Sequence, residues 1–348
     1  MDDLNAPSPP APESPPPTVD LAPPPAPSFL HSIFVGPDGL RAGWRLLVYY
    51  VLCHSLIYGA AQLLGFWRPS GPGRLWYYMW GELLLRLSAV IAALVMGRIE
   101  KRPFDIYGLP RQETFGKLFW VGLVWGLVAI TALLVAMREA HVFYFGHIVL
   151  HGARLIKFAA FWGVFFLLVG FYEEFYFRGY TLFTLTRGLR FINEFRAFPQ
   201  NRGNDKLNFW IAAGLLSTAF GTVHLGNTGE NGIGALAAGL IGLFFCLTVR
   251  RTGNLWFAVG FHASFDWGET YLYSVPNSGT TAPGHLLSSS FHGPPWLTGG
   301  SVGPEGSVLA FVLIAVVSLL FDRFYPQVKY PPQDEALVDR EAASSPAV

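Results

Sequence analysis

Eight long apolar runs constrain this chain more than any other feature of it. An α-helix needs about 20 predominantly apolar residues to cross about 30 Å of hydrocarbon. Runs approaching that length extend over Trp44–Trp67, Trp76–Met96, Leu118–Met137, Phe158–Leu182, Phe209–Leu225, Ile233–Val249, Leu255–Tyr273 and Val308–Tyr325. The fifth and sixth are short and glycine-rich. Composition agrees, with 52% hydrophobic and 14% charged residues, against about a quarter charged in a soluble protein. These values exclude a disordered chain and an ordinary soluble enzyme. A net charge of +1 creates no field that favours nucleic acid, so no nucleic-acid partner is expected. The expected fold is all-α: a polytopic transmembrane bundle of about eight spans whose solvent is the lipid bilayer.

The first 40 residues form a separate segment. Eleven prolines precede Ser28, which forbids helix and favours a solvated, disordered polyproline tail. It has neither the basic nor the apolar region of a signal peptide. Residues 41–327 are expected to form one membrane domain, with its motifs between about 158 and 273, and residues 328–348 a loose tail. Placing both termini in the cytoplasm puts seventeen Lys and Arg inside and five outside, so the positive-inside rule predicts N-in and C-in topology in the plasma membrane. The segment Ser274–Ser307 lacks Lys and Arg and reads as an external loop. Cys53 and Cys246 sit in apolar runs and read as packing residues, as does the helix contact Gly122-x-x-x-Gly126.

Ionisable residues inside these runs carry the chemical information. Glu82 and Arg86, four apart, read as a buried structural pair. In the fourth run, Glu173-Glu174-Phe175-Tyr176-Phe177-Arg178 places Glu174 and Arg178 on one helix face and turns Glu173 about 100° away. Arg178 then neutralises Glu174 and leaves Glu173 free. A carboxylate desolvated among Phe and Tyr suits a general base working near neutral pH. The fifth run ends in Phe220-Gly221-Thr222-Val223-His224, and the seventh holds His262-Ala263-Ser264-Phe265-Asp266. His54 reads as structural. Each charge at mid-membrane costs about 2.5 to 3.5 kcal/mol on insertion, so four cost about 10 kcal/mol before pairing, comparable with a protein's entire stability of about 5 to 15 kcal/mol. Residues retained at that cost point to a hydrated cavity on which Glu173, Glu174, Arg178, His224, His262 and Asp266 converge. Depth counts against simple convergence. At about 1.5 Å per residue, His262 lies about 10 Å from the inner end of its run and His224 about 24 Å from Phe209.

The ordered motifs Glu173-Glu174-x-x-x-Arg178, Phe220-x-x-x-His224 and His262-x-x-x-Asp266 resemble those of the CPBP (CAAX protease and bacteriocin-processing, or Abi) intramembrane proteases, whose best-known type is the Rce1-like CAAX prenyl endopeptidase. The loop from Arg98 to Arg111, with Tyr107-Gly108-Leu109, also resembles the family. Prenyl endopeptidases typically carry Asn where Asp266 stands. The resemblance implies a membrane-embedded peptidase acting on a membrane-associated or lipidated peptide, prenylated in CAAX substrates. In this reading Glu173 and His224 activate water and His262 and Asp266 stabilise the oxyanion. Because a carboxylate repels an oxyanion, Asp266 is expected to hold His262 instead. A zinc version stays open, with Glu173, His224 and His262 as ligands and water in the fourth position, although no H-E-x-x-H is present. Two other classes compete: a proton-coupled transporter, whose inverted repeats are not visible, and a non-catalytic membrane scaffold or immunity protein.

Overall fold

The computed structural model describes residues 33–36, 39–63, 73–189 and 205–330. Most of the proline-rich segment and the C-terminal tail lie outside them, as do Arg190, Arg196 and Arg202. Met1–Arg41 and Ala42–Val348 are separate compact units. In the first, β1 (Val35–Gly36) pairs antiparallel with β2 (Gly39–Leu40).

The second unit is helical. Its helices are α1 (Ala42–Leu63), α2 (Gly73–Glu100), α3 (Lys117–Glu139), α4 (Ala153–Glu174), α5 (Tyr180–Gly188), α6 (Asp205–His224), α7 (Gly232–Thr252), α8 (Trp256–Trp267), the short α9 (Pro295–Thr298) and α10 (Val308–Phe324). Among the described residues each of the eight apolar runs lies mainly on a helix, and residues 64–67 of the first fall outside them. Four segments among the described residues are long and apolar enough to cross a membrane: Leu75–Glu100, Lys117–Glu139, Ala153–Gly188 and Gly232–Thr252. Two of the others are short: α10 has 17 residues and α8 has 12. Val124 and Val128 on α3 and Leu319 on α10 keep more than half their surface exposed, as faces turned to lipid would.

The core of the bundle is α8, gripped by α3 and α4. Small residues let the backbones touch. A Cβ on Gly122 or Gly126 of α3 would collide with the carbonyl oxygens of Phe257 and Phe261, and one on Gly260 of α8 with that of Phe119. The Gly122-x-x-x-Gly126 spacing therefore sets the distance between α3 and α8. The start of α8 is braced from two directions. Gly253 (φ 67°) ends α7 in the left-handed conformation, and Asn254 Oδ1 accepts from Trp256 N at 2.7 Å. The carbonyl of Gly108 accepts from Leu255 N at 2.8 Å, so the Tyr107-Gly108-Leu109 segment helps fix the height of α8. Cys53 and Cys246 are buried and free.

Two π-turns interrupt the bundle. One, Phe175–Gly179, joins α4 to α5, so the fourth run belongs to a longer helical rod, Ala153–Gly188. The other, Gly268–Leu272, extends α8. Ser274–Ser307 is more than a loose external loop. Within it β4 (Ser290–Phe291) pairs antiparallel with β3 (Phe143–Tyr144), and Ile148 bridges to Leu287. His285 Nδ1 donates to Leu287 O at 2.9 Å and His292 Nε2 contacts Ser290 Oγ at 3.3 Å.

Candidate active site

A cavity of about 980 Å³ opens among α2, α4, α6, α7, α8 and α10, and Glu173, His224, His262 and Asp266 all line it. Both ends of the acid motif converge on His262. From α4, Glu174 Oε1 lies 2.9 Å from His262 Nδ1 and Glu173 Oε2 lies 3.7 Å from its Nε2. From one turn along α8, Asp266 Oδ2 lies 3.5 Å from the same Nε2. Phe245 stacks on the imidazole with ring centroids 5.6 Å apart and planes 14° apart, which fixes the ring's tilt.

Glu174 is held in turn by Arg178, whose Nη1 donates to Oε1 at 3.0 Å. Both side chains are fully buried. The guanidinium lies over the ring of Phe220 at 4.2 Å, an arrangement that favours a desolvated cation. A Cβ at Gly242 would press on Arg178 Nη2, so the absence of a side chain there leaves room for the guanidinium. Glu173 has no such clamp. Its Oε2 is buried and holds no hydrogen bond to the protein, which leaves it available to a polar group entering the cavity.

His224 is the last residue of α6. Its Nδ1 donates to the carbonyl of Phe220 at 2.7 Å, so in the neutral ring Nε2 carries the lone pair. Phe220 stands between the two histidines. Helical side chains lean toward the N-terminus, so the His224 ring reaches back to within 4.6 Å of the Phe220 ring. Phe220 in turn meets His262 edge-on at 6.5 Å. His224 and His262 are linked by that shared neighbour and by the cavity both line.

The structure adds two contacts to the sequence expectation. Asp266, expected to hold His262, lies 3.5 Å from its Nε2, beside Glu173, while the hydrogen bond at Nδ1 is made with Glu174, expected as a partner for Arg178. Glu82 was expected to form a structural pair. It does pair with Arg86 at 2.9 Å, and Arg86 is further fixed by the carbonyls of Leu168 and Glu82, but the Glu82 carboxylate also lines the cavity. Sequence reasoning missed Glu305 and Ser278 in the cavity wall. Both lie in the Gly- and Pro-rich segment after α8, where no periodicity marks which side chains turn inward.

Among the described residues, no group of three or more His, Cys, Asp and Glu side chains is disposed to hold a metal ion. The donor chemistry agrees: Nδ1 of His262 is engaged by Glu174 and its Nε2 already faces two carboxylates. As they stand, these side chains do not fit a zinc site.

Residues 155–268 match the family model for type II CAAX prenyl endopeptidase Rce1-like proteins. All seven named residues of the three motifs lie within that match. No curated protein and no solved structure matches the chain.

Proposed function

We propose, from the premise that residues 155–268 form an Rce1-like protease domain of an integral membrane protein, that this chain is an intramembrane endopeptidase that hydrolyses a peptide bond of a membrane-associated or lipidated substrate. The observation that carries the reading is Glu173 Oε2 at 3.7 Å from His262 Nε2, unclamped, on a cavity that His224 also lines.

In this mechanism Glu173 accepts a proton from water, while the Nε2 lone pair of His224 orients that water or shares the proton. The resulting hydroxide attacks the scissile carbonyl. His262 then presents an N–H toward the oxygen on which negative charge develops. Electrostatic stabilisation of this kind is strongest where water is excluded and the donor is already oriented, and the Glu174 hydrogen bond and Phe245 stacking supply that orientation. Collapse of the tetrahedral intermediate returns the proton from Glu173 to the leaving amine. Asp266, 3.5 Å from His262 Nε2, keeps that nitrogen protonated.

The topology that goes with this reading has eight spans, both termini on the cytoplasmic side and the plasma membrane as location. The apolar part of the cavity is suited to a hydrocarbon group on the substrate, in keeping with a prenylated CAAX peptide. The test is peptide release by purified protein in liposomes. Glu173→Gln should abolish cleavage while its unfolding transition stays at the wild-type temperature. Wild-type turnover in that variant would overturn the assignment, and proton-coupled uptake into sealed vesicles without any proteolysis would favour a transporter.

A further inference from the structure

Two buried side-chain atoms on the cavity wall are left unpaired, and they are complementary. Among the described residues that line the cavity, Glu173 Oε2 and Asn277 Nδ2 are buried and hold no hydrogen bond to the protein. The first is an acceptor and the second a donor. Leaving a buried amide N–H unpaired is costly, so folded proteins seldom do it without a use for the group. Glu173 already has a use as the base. Nothing in the mechanism so far employs Asn277.

Asn277 is fixed by its backbone. It opens a tight turn in which its N–H donates to Thr280 O at 2.9 Å and its carbonyl accepts from Thr280 N at 2.8 Å. Ser278 (φ 43°) and Gly279 (φ 77°) occupy the two left-handed positions of that turn, the pattern of type I′. The turn is braced from several directions. Glu305 Oε2 accepts from Ser278 N at 2.7 Å and from Ser278 Oγ at 3.0 Å, and Val302 O accepts from Gly279 N at 2.7 Å. Gly279 also lies so close to Gly229, in the loop after His224, that a Cβ on either would collide with the backbone of the other. Two residues before Asn277, Val275 N donates to Glu269 O at 2.9 Å, which ties the turn to the π-turn that extends α8. The Asn277 side chain thereby stands beside the Asp266 carboxylate, which is itself 3.5 Å from His262 Nε2.

A donor mounted on a rigid support stabilises developing negative charge well, because little has to reorganise when the charge appears. The proposed reaction has use for one. His262 is so far the single group that meets the oxyanion, and two carboxylates surround its Nε2. Because Nδ2 of Asn277 holds no bond, the amide can turn to an entering oxygen without breaking one. Resting on the peptidase reading, we infer that Asn277 is a catalytic residue whose Nδ2 donates to the scissile carbonyl oxygen together with His262. It lies outside the Rce1-like match, so this donor belongs to the chain's own segment after α8.

The experiment follows cleavage of a fluorogenic peptide by the full-length protein in liposomes, with the unfolding temperature as the check on folding. Asn277→Ala should lower kcat by about 10²- to 10³-fold, the loss of one oxyanion donor, and leave KM within about threefold of wild type, as for an interaction made only in the transition state. Its unfolding temperature should not change. Asn277→Asp, of the same shape but with an acceptor in place of the donor, should be at least as slow. A phosphinate analogue of the peptide, with an anionic oxygen on a tetrahedral centre, gives a readout without turnover. Its affinity should fall in Asn277→Ala by about the same factor as kcat/KM, while binding of the uncleaved peptide to the Glu173→Gln protein should not change when Asn277→Ala is added. Wild-type kcat in folded Asn277→Ala protein overturns the inference and leaves the peptidase reading standing. So does a slow variant with undiminished phosphinate affinity, and a lowered unfolding temperature in both variants would assign Asn277 to the fold instead. Failure of the wild type to cleave any peptide overturns the peptidase reading, and the oxyanion role with it.

Discussion

Nδ1 of His262 hydrogen-bonds Oε1 of Glu174 at 2.9 Å, joining α8 to α4 across 88 residues of sequence. The same oxygen accepts from Arg178 at 3.0 Å, so one carboxylate both neutralises a buried guanidinium and orients the imidazole. The neighbouring glutamates therefore have different duties. Glu174 is locked in the protein, and Glu173 faces the cavity.

Replacing Glu174 should damage both stability and turnover. Glu174→Ala leaves Arg178 charged and uncompensated in the core, a change that costs about 3 to 5 kcal/mol. Glu174→Gln keeps an acceptor for His262 but loses the charge, and its unfolding temperature should lie between those of Glu174→Ala and the wild type. Turnover should fall by about 100-fold in Glu174→Gln, as expected when a positioning contact at the reacting centre is disturbed. Thermal unfolding in detergent beside a peptide-release assay checks both. Glu174→Ala with a wild-type transition would contradict the assignment.

The contact between α3 and α8 makes a second prediction. At Gly126 a new methyl group would meet the Phe261 carbonyl and Ser264 Oγ, neither of which can move without shifting α8. Gly126→Ala should therefore destabilise by about 1 to 3 kcal/mol through overpacking, and should also lower turnover, because His262 sits one residue after Phe261. Gly214 of α6 has open space around its Cα, so Gly214→Ala is the control and should be neutral or mildly stabilising.

Length and apolarity made the helices legible, because a run such as Leu118–Met137 has no other way to satisfy its backbone in lipid. The far end of the fourth run was not legible. Helix continues past Leu182 to Gly188 through Thr-Leu-Phe-Thr-Leu-Thr-Arg-Gly, where hydropathy falls, and no propensity rule marks the π-turn at Phe175–Gly179. The motif residues could be identified because charge in an apolar run is rare. Which of them touch was harder to read. Helical spacing pairs His262 with Asp266 at i+4, and the structure keeps that contact at Nε2, but the hydrogen bond between Glu174 and Nδ1 depends on interhelical packing that spacing does not reveal. Glu305 gave no signal at all, since its inward position depends on Ser278 and on the path of an irregular segment.

Glu230, in the loop between α6 and α7, gives a prediction about pH. Burial raises its pKa above the ordinary 4.5, and the backbone N–H of Asn231 opposes the shift. A carboxylate with a raised folded-state pKa binds protons more tightly folded than unfolded. Its contribution to stability is therefore fully present below pH 4.5 and is lost as pH rises through the higher folded value. Glu230→Gln removes that decline while keeping an oxygen for Asn231 N. The variant's unfolding temperature should exceed the wild type's at pH 7 and match it near pH 4. A lower unfolding temperature at pH 7 would show that the charge stabilises the loop.

The last prediction concerns metal. A zinc-activated water would need Nε2 of His224 and Nε2 of His262 to face the ion together with Glu173, in a tetrahedral set with bonds of about 2.0 to 2.2 Å. In the structure His262 Nε2 instead faces Glu173 and Asp266, at 3.7 and 3.5 Å, so two carboxylates surround the nitrogen that zinc would need. With Glu173 as base, the reaction needs no Lewis acid to generate its nucleophile. Dialysis against a strong chelator should then leave peptide release unchanged, while Glu173→Gln abolishes it. His224→Asn should reduce turnover by about 10²- to 10⁴-fold, the range of a lost general acid or base, and added Zn²⁺ should not restore it. Activity lost on chelation and recovered with Zn²⁺ would mean that these side chains close on a metal when it binds, and would replace the glutamate-based mechanism.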